Sequence, residues 1–160
     1  MKPLLLALAC ALLGAPIAAA QAAHSLRIDG FGKTATLTAV QIAALPHVSV
    51  VIDQEGAKRT YEGVPVSRLL AEVGAPSGGM GAVLANAVVV TSRDGYAVVL
   101  SLAETDPATR KDRAILADRV DGRPLSERDG PYRLVVEGDL RASRFARQVA
   151  SISVKPVSSP

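Results

Sequence analysis

The stretch "AVVVTSRDGYAVVLSLAE", residues 87–104, holds two apolar runs that meet at Arg-Asp-Gly-Tyr. They read as two β-strands, residues 87–92 and 96–102, because β-branched residues fill both and a turn dipeptide separates them. Val88, Val89 and Val90 are consecutive, which predicts burial on both faces of the first strand. Asp94-Gly95 predicts a type I′ turn, since both residues tolerate the positive φ that this turn needs. The turn accounts for Asp94 and Gly95. It gives no structural duty to Arg93 and Tyr96 on either side.

Outward from this hairpin, turn signals recur at short intervals, a sheet-rich pattern. A first strand opens at residues 25–28, and Gly30 and Gly32 punctuate the chain just beyond it. Thr38 and Gln41 form a capping box for a short helix that ends before Pro46. "HVSVVIDQEGAKRTYEG", residues 47–63, reads as a hairpin about Glu55-Gly56. Pro65, the helical spacing of Val66, Leu69, Leu70 and Val73, and the stop at Gly74 predict a second helix of about two to three turns. Residues 76–82, "PSGGMGA", are a loop by composition. Further strands fall at residues 114–120, before the Asp121-Gly122 turn, within "YRLVVEGD" after Gly130-Pro131, and at residues 148–154. Roughly six to eight strands with a few short helices predict an α+β domain of layered, mostly antiparallel or mixed β-sheets.

The chain has 160 residues, which suggests one domain. Residues 1–22 read as a signal peptide: Lys2, a short apolar run, then a small-residue region with small-x-small patterns ending at Ala20 and Ala22. The domain is then expected over residues 24–156, in a periplasmic or secreted protein. The apolar run is shorter than the roughly 20 residues a bilayer needs, so no membrane span is expected after signal removal. The single cysteine, Cys10, falls inside the signal, which leaves the exported chain without a thiol. A lipid-anchored reading of "ALAC" is disfavoured, since Ala7 stands where a larger aliphatic residue is usual. The formal charge is +3, and losing Lys2 leaves about +2. With aromatics at 3% and no Trp, base-stacking platforms are scarce and no nucleic-acid partner is expected.

Chemical motifs are few. Two histidines, His24 and His47, and no exported cysteine make a poor metal set, so no metal site is expected. A copper site on an N-terminal His24 would require cleavage with Gln21 at the −3 position, which fits badly. There is no Gly-x-Ser-x-Gly and no Cys–His pair. "GAPSGGMGA" has glycines but lacks the Lys-Ser/Thr of a phosphate loop. Asp and Glu mostly fall in turns, where local hydrogen bonding explains them. The remaining cluster is basic: "GPYRLVVEGDLRASRFARQ" holds Arg133, Arg141, Arg144 and Arg147. Arg forks bind phosphate or carboxylate in bidentate fashion, and a solvated basic face is the plainer alternative.

The order "LTAVQIAALP", "YEGVPVSRLL", "SRDGYAVVLSLAE", "ILADRVDGRPL", "GPYRLVVEGD" and "RFARQVASISV" resembles the small secreted versions of the sulfite-oxidase-type molybdopterin-binding domain, over residues 37–154. The resemblance implies an α+β fold of layered sheets. It implies that Arg133, Arg144 and Arg147 lie where relatives hold the pterin phosphate, their guanidinium groups converging. It also makes Arg93 and Tyr96 part of a recurrent element at the rim. These five are the candidate cofactor-binding residues. Catalytic members hold molybdenum through a cysteine after a strand like "HVSVVID", whereas here that strand runs straight into its hairpin. Glu137 stands where relatives often have Pro, and Phe145 where they often have Trp. The resemblance thus leaves molybdopterin possible, but the thiolate anchor is missing. The expectation is a domain of this fold that binds a small anionic ligand or a periplasmic protein partner without a cofactor. The alternative is a redox enzyme that holds a molybdopterin without cysteine.

Overall fold

A computed structural model describes residues 24–54, 56–78, 80–81 and 85–157. The signal peptide, its cleavage sites, Cys10 and part of the 76–82 loop lie outside the described residues. β1 (Leu26–Gly30) and β2 (Lys33–Leu37) form a hairpin. The two residues between them, Phe31 and Gly32, both have positive φ, 50° and 72°, as a type I′ connection requires. Next comes α1 (Ala39–Ala43), with both halves of its capping box formed. Thr38 Oγ1 accepts from the Gln41 N–H at 3.3 Å, and Gln41 Oε1 accepts from the Thr38 N–H at 2.9 Å. Ile42 anchors this helix in the core.

β3 (Val48–Gln54) and β4 (Ala57–Pro65) pair antiparallel about positions 55–56. Pro65 then caps α2 (Val66–Leu70), which tightens into a 3-10 turn (Ala71–Val73) and stops where Gly74 takes φ 80°. β5 (Asn86–Ser92) and β6 (Ala97–Ser101) come next, and a Ser101–Glu104 capping box opens α3 (Leu102–Thr105). β7 (Ala114–Val120), β8 (Arg123–Pro124), β9 (Arg133–Val136), a 3-10 turn (Ala142–Arg144) and β10 (Val149–Pro156) complete the chain. Among the described residues, one sheet has the order β2-β1-β10-β5-β6 and the other β3-β4-β7-β8, with β9 also paired to β7. The β1–β10 pair is parallel and the others are antiparallel. One buried cluster draws on both sheets and on α2. This is the α+β, layered and mixed-sheet architecture expected.

Two local expectations need correction. Asp94 does not have positive φ; only Gly95 does, at 88°. The Ser92 carbonyl accepts from the Gly95 N–H, and the Ser92 N–H donates to the Tyr96 carbonyl. The loop therefore has three residues, with the glycine in the left-handed position. Neighbours set this length: the Arg93 N–H donates to the Gln148 carbonyl at 3.0 Å, and the Tyr96 hydroxyl to the Ser143 carbonyl at 2.6 Å. Asp121-Gly122 is the Asp-Gly pair with both φ values positive, 51° and 73°. Second, Val88 and Val90 are buried but Val89 is half-exposed, because it shares the outer face with its cross-strand partner Val99. Strands buried on both faces occur instead at β9 and the first half of β7. α2 packs on β7, and the 142–144 turn packs against β9.

The end of β9 is locked to the start of β7. The Glu137 N–H donates to the Arg113 carbonyl at 2.8 Å, and the Glu137 carboxylate accepts from the Arg113 N–H and Nε at 3.0 and 2.9 Å. A proline here would supply neither the N–H nor the carboxylate. Hydrogen bonding from Arg113 holds the Glu137 carboxyl below its ordinary value of 4.5, against the opposing effect of burial. A depressed carboxyl contributes stability that is present above the unfolded value and lost as pH falls through the folded value. Glu137→Gln is therefore expected to cost about 1 kcal/mol or less at pH 7, since the pair is partly solvent-screened. It should also flatten the drop in melting temperature below about pH 4.5. Melting curves of both proteins from pH 7 to 3 check this; parallel acid limbs would refute it.

Candidate functional site

β9 begins with an arginine in the core. Arg133 is 7% exposed, and its guanidinium lies between two rings, 5.6 Å from the Tyr61 centroid and 5.8 Å from that of Phe145. At these distances the ring faces attract the charge. Its polar partners both meet Nη1: the Tyr61 hydroxyl at 3.4 Å and Asp129 Oδ2 at 3.5 Å. Nε is buried and has no hydrogen-bond partner. The Nε–Nη2 edge is the side of a guanidinium that takes a carboxylate or phosphate in two parallel bonds.

Segment 145–149 runs beside this strand. The Leu134 N–H donates to the Ala146 carbonyl, the Gln148 N–H to the Asp129 carbonyl, and the Val149 N–H to the Tyr132 carbonyl. This pairing seats Arg147 next to Asp129, with Nε 3.0 Å from Oδ1. Arg133 and Arg147 thus share one carboxylate. Both line a cleft of about 680 Å³ together with Asp53, Asp139 and Arg141. A smaller adjoining cleft of about 330 Å³ shares both arginines and reaches Tyr96 and Phe145.

The other candidates sit elsewhere. Arg144 turns away and spends its fork on Asp139, at 2.9 and 2.6 Å, and on Glu104 at 3.2 Å. The bond to Asp139, ahead of that to Glu104, raises the Arg144 guanidinium above its ordinary pKa despite partial burial. Of the three arginines expected to converge, Arg133 and Arg147 therefore meet and Arg144 does not. Two nearby acids offset its charge more closely than a shared basic pocket would. Arg93 lines a separate cleft with Asp118, Tyr132 and Gln148. Tyr96 is at the rim, anchored by its hydroxyl.

Two residues escaped the sequence reading. Tyr61 lies 72 positions from Arg133, and nothing local announces the stack. Asp129 was legible in principle, because Asp129 and Arg133 have the i,i+4 spacing, but it falls in a turn where local bonding already explains an Asp.

A two-sheet α+β domain with an arginine held between rings at a cleft floor is the class that fold and site define. A family model for the oxidoreductase molybdopterin-binding domain matches residues 13–160, and the chain belongs to that family. Among curated proteins no sequence matches it. The side chains test how far the family's cofactor suits this cleft. The arginine edge offers donors to a phosphate. The metal end has no counterpart: no described residue is a cysteine, and among the described residues no three His, Cys, Asp or Glu gather as a metal set. Asp129 already faces both arginines. The residues present do not fit a molybdenum-bearing cofactor.

Proposed function

We propose that the chain is an exported member of this family that keeps the fold without the metal anchor and binds a small anionic ligand in the Arg133 cleft. Export rests on the signal-like residues 1–22. Binding rests above all on Arg133: a buried cation with an unpartnered Nε at the floor of a cleft. Leaving a charged donor buried and unpaired is costly, and an acceptor from solution relieves that cost. Arg147 adds a second, more exposed donor at the same cleft. The ligand class is an oxyanion, phosphate or carboxylate, whose oxygens suit a guanidinium fork. The alternative of a redox enzyme with a cysteine-free molybdopterin finds no support in the donor set.

Calorimetric titration of the purified chain with inorganic phosphate at low salt tests this. The expected result is saturable binding that weakens as salt is added, because part of the site is solvent-screened. Absence of any binding by phosphate and by simple carboxylates alike would overturn it.

A further inference from the structure

Asp129 engages a donor of each of two cleft arginines. Its Oδ1 is 3.0 Å from Arg147 Nε and its Oδ2 is 3.5 Å from Arg133 Nη1. One internal carboxylate therefore bridges the two arginines that line the cleft. We propose that Asp129 is an internal competitor for the anion site and sets its selectivity, admitting dianionic phosphate groups and rejecting monoanionic carboxylates. This rests on the anion-binding reading of the same cleft.

Charge and geometry both favour this role. Arg133 and Arg147 carry two positive charges, and Asp129 reduces the local balance to one. A monoanion that displaced Asp129 would exchange one carboxylate for another and gain little. A dianion brings twice the charge and three oxygens, so it can engage Arg133 and Arg147 together. Asp129 is also well placed to move. It lies in the turn before β9, and Ser126 Oγ touches its Oδ2 only at 3.4 Å. Its backbone stays fixed by the Ser126 and Gln148 bonds on either side. A side-chain rotation can thus open the arginines without disturbing the strand. The two acids that line the cleft have other partners: Asp139 is committed to Arg144 at 2.6 Å, and Asp53 accepts from the Gly56 N–H at 3.1 Å.

Asp129→Asn removes the charge at nearly constant volume. Inorganic phosphate and acetate would each be titrated into parent and variant, with melting curves in phosphate-free buffer confirming that both are folded. The expected result is at least a tenfold gain in phosphate affinity and the appearance of acetate binding in the variant. Binding of phosphate by the variant alone would overturn the proposed selectivity, since the parent would then admit no dianion. Equal phosphate affinity in the two proteins, with acetate still excluded, would overturn the role of Asp129 while leaving the anion site standing. No phosphate binding by either protein would overturn both. Asp129→Ser repeats the charge removal with a smaller group if the Asn variant melts early.

Discussion

Gly63→Ala is expected to destabilise the fold by about 4 kcal/mol or more, a large share of the 5–15 kcal/mol that holds a typical domain together. The reason lies in the pairing of β4 with β7. Glu62 faces Arg119 and Gly63 faces Ala117, so Asp118 is an extra residue on β7 and the ladder shifts register there. The shift brings the β7 backbone against Gly63. A Cβ there would lie 2.1 Å from the Leu116 carbonyl oxygen and 2.5 Å from the Ala117 Cα. Both are backbone atoms in the buried first half of β7, so neither can step aside. The bulge has a purpose in packing: it re-aims Asp118, whose Oδ2 meets His47 Nε2 at 3.2 Å. Gly95→Ala is the contrasting case, with φ 88° and nothing within 4 Å of the added Cβ. It should cost only about 1–2 kcal/mol, the strain of a left-handed alanine. Urea denaturation of the two variants separates them, and equal losses would show that the close approach at Gly63 is not what the bulge depends on.

Arg133→Met is expected to lower phosphate affinity by about a hundredfold or more while the protein stays folded. Two charge-assisted hydrogen bonds at about 1.5–3 kcal/mol each are lost. Methionine fills the slot between Tyr61 and Phe145 with a flexible apolar chain that suits aromatic neighbours. It also removes the buried, unpartnered Nε, so the melting temperature without phosphate should change little or rise. Arg144→Met is the control on the far side of the cluster. Its fork is engaged by Asp139 and Glu104, so phosphate affinity should stay within about threefold of the parent, less than 1 kcal/mol. If both substitutions weaken phosphate equally, the basic cluster acts as a diffuse surface charge and Arg133 is not a specific site.

Local chemistry explains which parts of this protein were readable in its sequence. Thr38 with Gln41, and Pro65 with Gly74, carry their capping instructions within one or two turns, and the helices formed where those residues put them. The strand from Ala114 to Val120 and the one starting at Arg133 were likewise marked by their own β-branched content. β2 was missed because "KTATL" offers one buried residue, Leu37, and little apolar alternation to read. Asp94-Gly95 and Asp121-Gly122 are the same dipeptide yet turn differently, because Gln148 and Ser143, far along the chain, fix the loop at Asp94. The site divides along the same line. Arg133 and Arg147 were visible as a basic cluster. The seating of Arg147 at Asp129, the reach of Arg144 to Glu104 and the contact of Tyr61 with Arg133 join segments far apart in the chain, which spacing does not encode.

Whether this molybdopterin-family fold works without a molybdenum centre is tested most directly by its metal content. Molybdenum per chain would be measured by elemental analysis of protein purified from the cells that make it. With no cysteine among the described residues and an internal carboxylate facing both cleft arginines, molybdenum is predicted far below one atom per chain. A value near one atom per chain would contradict the account and establish that the cleft holds the metal cofactor by other means.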